Sequence, residues 1–441
     1  MLMRLTTASL LALLTLAASA AAQPAAIDAR EKREVVEAAA RVLERDYVFA
    51  DVAQKMGTAI REQLQTGRYD AVLTKDDFAA RLTEDLRAVS HDRHLRVLHA
   101  PEFVRNRQQP PDDAARQASE AWRARRERQG NFAFREVKVL PGNVGYVRFD
   151  GFSDAPGAFP VAVGTMAFLA NSDAVIIDLR SNGGGSPQMI QLLSTYFFEG
   201  EPRHLNSFEY RGANTIEQTW TLPFVPGARR PHVPLYVLTS AGTFSAAEEF
   251  TYNLKNLQRA TIVGETTGGG AHPVRTEPLT EAFAIGVPFA RAVNPISKTN
   301  WEGTGVEPDV KVTAAAALDT AHRLALEKLA TSEADERAKR YYRWALDELV
   351  AREQPVILDA EALQRYAGTF GQRVISVEGG QLYYQRGSGR KMRMIPMGPD
   401  LFRFEEMDSF RLRAVRDGGH VVAVEGLYDD GTSDRTPVIT P

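Results

Sequence analysis

Three segments repeat one plan, and that plan limits the fold more than any other feature of the chain. AVIIDLR (174–180) runs into SNGGGSPQ, PLYVLTS (234–240) runs into AGTFSAAEEF, and ATIVGETTGGG (260–270) ends in glycines. Each opens as an apolar run without alternation, as a strand covered on both faces does. The first two continue into helices. Ser186 and Pro187 read as an N-cap and first helical residue, and Ser245 with Glu248 three positions on reads as a capping box. Strand–turn–helix units in series predict an α/β core with a largely parallel sheet, and such sheets bind ligands at the carboxyl ends of their strands. Here those ends are SNGGG, SAGTFSAA and GETTGGG.

The remaining segments fall around this core, which is expected over 131–330. Residues 26–100 read as a helical domain, with Thr74 and Asp77 opening a helix that carries Phe78, Leu82 and Leu86 on one face. Leu95, Val97 and His99 then alternate as a short strand. Residues 101–130 are polar, with Pro110-Pro111 and RARRERQ, and read as a linker or solvated helix. AFAIGVPFARAV (282–293) alternates like an exposed strand. Residues 355–441 read as a small antiparallel β domain, its hairpins turned by Gly379-Gly380 and Asp417-Gly418-Gly419. At the other end, residues 1–22 combine Arg4, a short apolar stretch and Ala18-Ser19-Ala20, the pattern of a secretory signal peptide. A periplasmic or secreted protein is expected, without a stable membrane span.

Composition removes several chemistries. The 441 residues contain no cysteine, so thiol catalysis and disulfides are absent. A net charge of -3 without a basic excess points away from nucleic acid. No P-loop and no G-x-G-x-x-G opens a helix after a strand, and no H-E-x-x-H occurs, so no nucleotide, cofactor or metal is expected. Ser245 remains, a hydroxyl at the carboxyl edge of the sheet and the start of a helix, where negative charge is favoured. A serine needs a base. His91, His94 and His99 cluster at the helix-to-strand junction, and His272 lies beside the glycine loop.

VIIDLRSNGGG, TSAGTFSAAEEF, IVGETTGGGAHP and NWEGTGVEPDV, in this order, resemble the serine peptidase superfamily of C-terminal processing peptidases, which also includes the tricorn protease and the interphotoreceptor retinoid-binding protein. The last branch, lacking a PDZ domain, is the nearest in plan. The resemblance covers roughly 30–325 and implies a crotonase/ClpP-like core. It places the nucleophile at Ser245. The lysine base of the processing peptidases falls on Gly270, so the Ser–Lys dyad is missing. The tricorn-like arrangement instead implies His94 as base and Glu302 as the acidic partner, with Arg93 standing where tricorn has a serine. His272 is the alternative base and Lys298 a weaker third. Gly184, Gly185 and Ala246 are implied as oxyanion donors. The expected activity is hydrolysis of a peptide or protein substrate through an acyl-enzyme. The alternative is a non-catalytic binding protein for an apolar ligand or peptide on the same fold.

Overall fold

A computed structural model describes residues 25–109 and 111–439. The signal-peptide reading of 1–22 lies outside them. The chain starts with three helices, α1 (Ala29–Asp46), α2 (Ala50–Gln65) and α3 (Lys75–Ser90), followed by strand β1 (Arg96–His99). α3 starts where the Thr74 hydroxyl accepts the Asp77 N–H, at 3.1 Å. It buries Phe78, Leu82 and Leu86. Two helices fall in the polar stretch after β1, α4 (Pro101–Gln108) and α5 (Asp113–Gln129), the latter with no buried residue.

The core begins with the hairpin β2 (Phe134–Leu140) and β3 (Val144–Phe149). It continues through α6 (Ala158–Phe168), β4 (Ala174–Asp178), α7 (Pro187–Thr195), β5 (His204–Tyr210), β6 (Thr215–Trp220), β7 (Leu235–Thr239), α8 (Ala246–Asn256) and β8 (Thr261–Gly264). After β8 come β9 (Val274–Pro278), β10 (Phe283–Pro288), β11 (Ala290–Val293), β12 (Val310–Lys311), α9 (Ala317–Ser332) and α10 (Glu336–Glu353). The main sheet has the order β12-β8-β7-β4-β3-β2, parallel except at the β3–β2 hairpin.

Alternate residues of one strand feed two cores, which is why the sequence shows no alternation. Val175, Ile177 and Val237 pack with α6, α7 and α8. Ala174, Ile176, Tyr236 and Leu238 pack with α9 and α10. At the 1.5–3 kcal/mol typical of each buried aliphatic side chain, these two layers fix the strand ends that carry the site.

AFAIGVPFARAV departs from the exposed strand expected of it. Every residue of β10 is buried. β10 pairs antiparallel with β1, Arg96 opposite Gly286, and Phe283, Ile285 and Val287 complete the core of α1–α3. This ladder binds the N-terminal helices to the core and fixes the turn that precedes β1.

Eight further antiparallel strands, β13 to β20, run in sequential order from Gly368–Phe370 to Ser433–Pro437. The Ile439 N–H donates to Thr369 O at 2.8 Å, and buried Arg373 pairs with Asp434 at 2.6 Å, bringing the two ends together. Phe370, Phe402, Phe404 and Phe410 fill the interior. α10 ties this unit to the core: Arg411 lies 3.7 Å from the Trp344 ring centroid, and Trp344 Nε1 donates to Asp408 O at 2.6 Å.

Candidate active site

Ser245 stands between β7 and α8 with φ 55 and ψ -120, a conformation that a residue with a β-carbon rarely adopts. Such a turn lifts a hydroxyl above the sheet edge, as a nucleophile elbow does. Ser245 and Glu248 form the expected capping box at the start of α8, in which the Ser245 backbone N–H donates to Glu248 Oε2 at 2.9 Å. The buried Glu248 carboxylate also accepts the Gly269 N–H at 2.6 Å, the Gly270 N–H at 2.8 Å and the Thr267 hydroxyl at 2.5 Å. Burial pushes its pKa up, and these four donors oppose the shift. Glu248 therefore joins the serine turn to the glycine loop.

Gly184 closes the other side. A β-carbon there would lie 2.7 Å from Ser245 Cβ and 3.0 Å from the Ala246 nitrogen, so only glycine fits. Of the three expected oxyanion donors, the Gly184 N–H is already engaged, donating to Asn182 Oδ1 at 2.9 Å. Among the described residues, the Gly185 and Ala246 N–H groups have no acceptor, so they are the free donors around the Gly184–Ser245 contact.

Gly270 shows what replaces a side chain in the glycine loop. A β-carbon at that position would lie 2.2 Å from Phe244 Cζ and 2.7 Å from His94 Cε1. The His94 imidazole thus occupies space that a residue 270 side chain would enter, with its centroid 4.6 Å from that of Phe244. It comes from the turn before β1, held there by the β1–β10 ladder. Arg93 adds a tether, donating to Gly268 O at 2.6 Å. Burial holds the His94 pKa below its ordinary 6.5, against Asp92, which raises it. A neutral imidazole is the form that accepts a proton. Its Nδ1 is buried without a partner.

His272, Asp92 and Glu302 form a second group beside the first. The Asp92 carboxylate receives the His94 backbone N–H at 3.0 Å and lies 3.0 Å from His272 Nδ1. The Tyr47 hydroxyl donates to it at 3.3 Å. Glu302 accepts the Ala271 N–H at 2.6 Å and lies 3.4 Å from His272 Nδ1. Burial first, then Asp92, pushes the Glu302 pKa up to about 7. Asp92, His272 and Glu302 are the one set among the described residues with three metal-type ligand atoms within 4.8 Å of one another. The His272–Asp92 spacing is that of a hydrogen bond, and backbone N–H groups engage both carboxylates.

The expected residues therefore fall into two neighbouring sets. Ser245, Ala246 and Gly184 meet, and Gly185 adjoins them. His94 reaches Gly270 and Phe244, while Glu302 reaches His272. Among the described residues no hydrogen bond joins His94 to Ser245 or to Glu302. Lys298 is exposed, and no hydrogen bond or ion pair links its ammonium to these groups. Asp92 and Phe244 were missed as site residues. Asp92 was visible as the carboxylate two positions before His94, whereas nothing in the sequence marks Phe244 as a wall for the imidazole.

Fold and site together define an α/β serine-hydrolase type of domain, with a serine at a strained strand-to-helix turn between two glycine loops. The chain carries a domain of peptidase family S41, whose sequence model matches residues 143–312, and ahead of it a match over 22–139 to the N-terminal domain of Peptidase_S41 in eukaryotic IRBP. Carboxyl-terminal-processing peptidase 2, chloroplastic, of Arabidopsis thaliana is 30% identical over 178 residues, 38% of this chain and 33% of that protein. The carboxy-terminal-processing protease of Bartonella bacilliformis is 27% identical over 178 residues, 39% of each chain. The chain thus spans about a third of the length of the first curated relatives it matches. A putative peptidase from Parabacteroides merdae aligns in structure with a TM-score of 0.44 and 21% identity, over 64% of this chain and 90% of that one.

Proposed function

We infer that this protein is an exported serine peptidase that cleaves peptide bonds through an acyl-enzyme on Ser245, with His94 as general base. The observation that carries the reading is the packing at Gly270, where the Phe244 ring and the His94 imidazole together fill space that a side chain on the loop would take. A base supplied from outside the loop keeps a proton acceptor beside the serine turn. In the mechanism, His94 takes the Ser245 proton as Oγ attacks the carbonyl carbon. The oxyanion is held by the Ala246 and Gly185 N–H groups. Protonated His94 then gives its proton to the leaving amine, and water, activated in the same way, frees the acyl group. The Glu302–His272–Asp92 group supports this step indirectly, since Asp92 holds the His94 backbone. Export rests on the character of residues 1–22. Among the described residues no helix is long and apolar enough to cross a membrane.

Mass spectrometry of a peptide library incubated with the full chain tests this reading. Cleavage by the wild type is expected to vanish in Ser245→Ala and to fall by roughly 10²–10⁴ in His94→Ala, the usual size of a general-base contribution. Cleavage that survives in Ser245→Ala contradicts the reading. Tight binding of a fatty acid or retinoid with no cleavage favours a binding protein instead.

A further inference from the structure

α5 is 17 residues long and buries none of them. Trp122, Arg123, Arg126 and Glu127 recur on one face at helical spacing and, with Ala133 and Arg135, line an open groove of about 430 Å³. Arg126 lies 5.0 Å from the Trp122 ring centroid, which holds the guanidinium in place. Among the described residues no ion pair joins Arg123, Arg125, Arg126 or Arg128 to a carboxylate, whereas Arg116 pairs with Asp113. Glu120 and Glu127 are the carboxylates nearest these arginines along the helix, and Glu127 accepts the Ser153 hydroxyl at 3.2 Å. The groove lining thus sets Arg123 and Arg126 against one carboxylate, Glu127, with Arg135 paired to Asp150 at 3.0 Å, beside an exposed indole.

Its inner end lies next to the serine site. Asn131, Phe132 and Ala133 take successive left-handed φ values of 47, 52 and 69. This turn is held by the Asp150 N–H donating to Ala133 O at 2.9 Å and by Phe132 packing on Gly157. A β-carbon on Gly151 would lie 3.5 Å from Ala133 Cβ and 3.6 Å from Gly184 O. The groove wall is therefore separated from the Gly184 loop by one glycine, and Gly184 abuts Ser245.

We propose that this groove binds an acidic segment of the peptide substrate, with carboxylates on Arg123 and Arg126 and an apolar side chain on Trp122. The proposal rests on the peptidase reading and names its substrate class. Guanidinium–carboxylate pairs can be bidentate. Exposed pairs are individually weak and screened by salt, so recognition takes several arginines and fades as ionic strength rises.

The test is fluorescence anisotropy with a labelled peptide of Asp and Glu around one Leu, against its Asn/Gln counterpart. The full chain carries Ser245→Ala, so no cleavage intervenes. The acidic peptide should bind about tenfold more tightly at low salt, as several exposed pairs together provide. Arg123→Glu with Arg126→Glu should erase that preference. The same double variant should keep the wild-type melting temperature and far-UV circular dichroism, because α5 is solvent-exposed along its length. Equal binding of the two peptides, or a preference that survives charge reversal, overturns the proposal. Binding of duplex DNA without binding of the acidic peptide also overturns it. Binding is read without turnover, so failure here leaves the Ser245 reading standing.

Discussion

At the residue scale, Ser245 holds a backbone conformation that costs of order 1–3 kcal/mol in a residue with a β-carbon. The strain persists because Glu248 grips its N–H and Gly184 leaves room for its β-carbon. Ser245→Gly should therefore raise stability in chemical denaturation by about 1 kcal/mol while losing all reaction at the serine. Equal or lower stability would show that the turn is not strained. Gly270→Ala should act in the opposite sense. Its β-carbon meets Phe244 and His94, so it should displace the imidazole, slow acylation and lower the melting temperature together. Overpacking of this kind typically costs about 1–3 kcal/mol. An unchanged acylation rate would detach His94 from the site.

At the element scale, β10 matters more than its distance from Ser245 in sequence suggests. It pairs with β1, and β1 follows His94. Phe283→Ala should cost roughly 3–5 kcal/mol, as a large aromatic deleted from a core does. It should also lower kcat well beyond what Phe78→Ala, in the same helical core, does. Equal kcat values in the two variants would show that the ladder does not position the base. β10 is also where the sequence was hardest to read. The parallel strands were legible because apolar runs ending at SNGGG and AGTFS leave few other structures. AFAIGVPFARAV looked exposed because its small residues, Ala284 and Gly286, interrupt the apolar pattern. Those residues are buried between β9, the other arm of a local hairpin, and β1, which comes from far away in sequence. The site divides in the same way. Ser245, Gly184 and the lost lysine position were readable from local motifs. The link from Asp92 to His272, and the Phe244 wall, come from tertiary contacts that no spacing records.

For the whole molecule, two buried groups give opposite pH signatures. His94 must be neutral to accept a proton, and its pKa lies below 6.5, so kcat/KM should stay level near pH 7 and fall only below pH 6.5. Glu302, raised to about 7 from an ordinary 4.5, keeps its proton in the folded state after the unfolded chain has lost it. Its contribution to stability is therefore present below about pH 4.5 and is lost as pH rises towards 7. Glu302→Gln should remove that slope in denaturation curves at pH 5 and 8, and an unaltered slope would assign it to another group. The central claim is that Ser245, with His94, is a reactive nucleophile, and covalent labelling tests it most directly. The intact protein is treated with a fluorophosphonate, the modified residue is located by mass spectrometry, and the rate is followed from pH 5 to 8. The account predicts one adduct, on Ser245, formed at a rate that falls below pH 6.5 and is largely lost in His94→Ala. An adduct elsewhere, none in the folded wild type, or an undiminished rate in His94→Ala would contradict it.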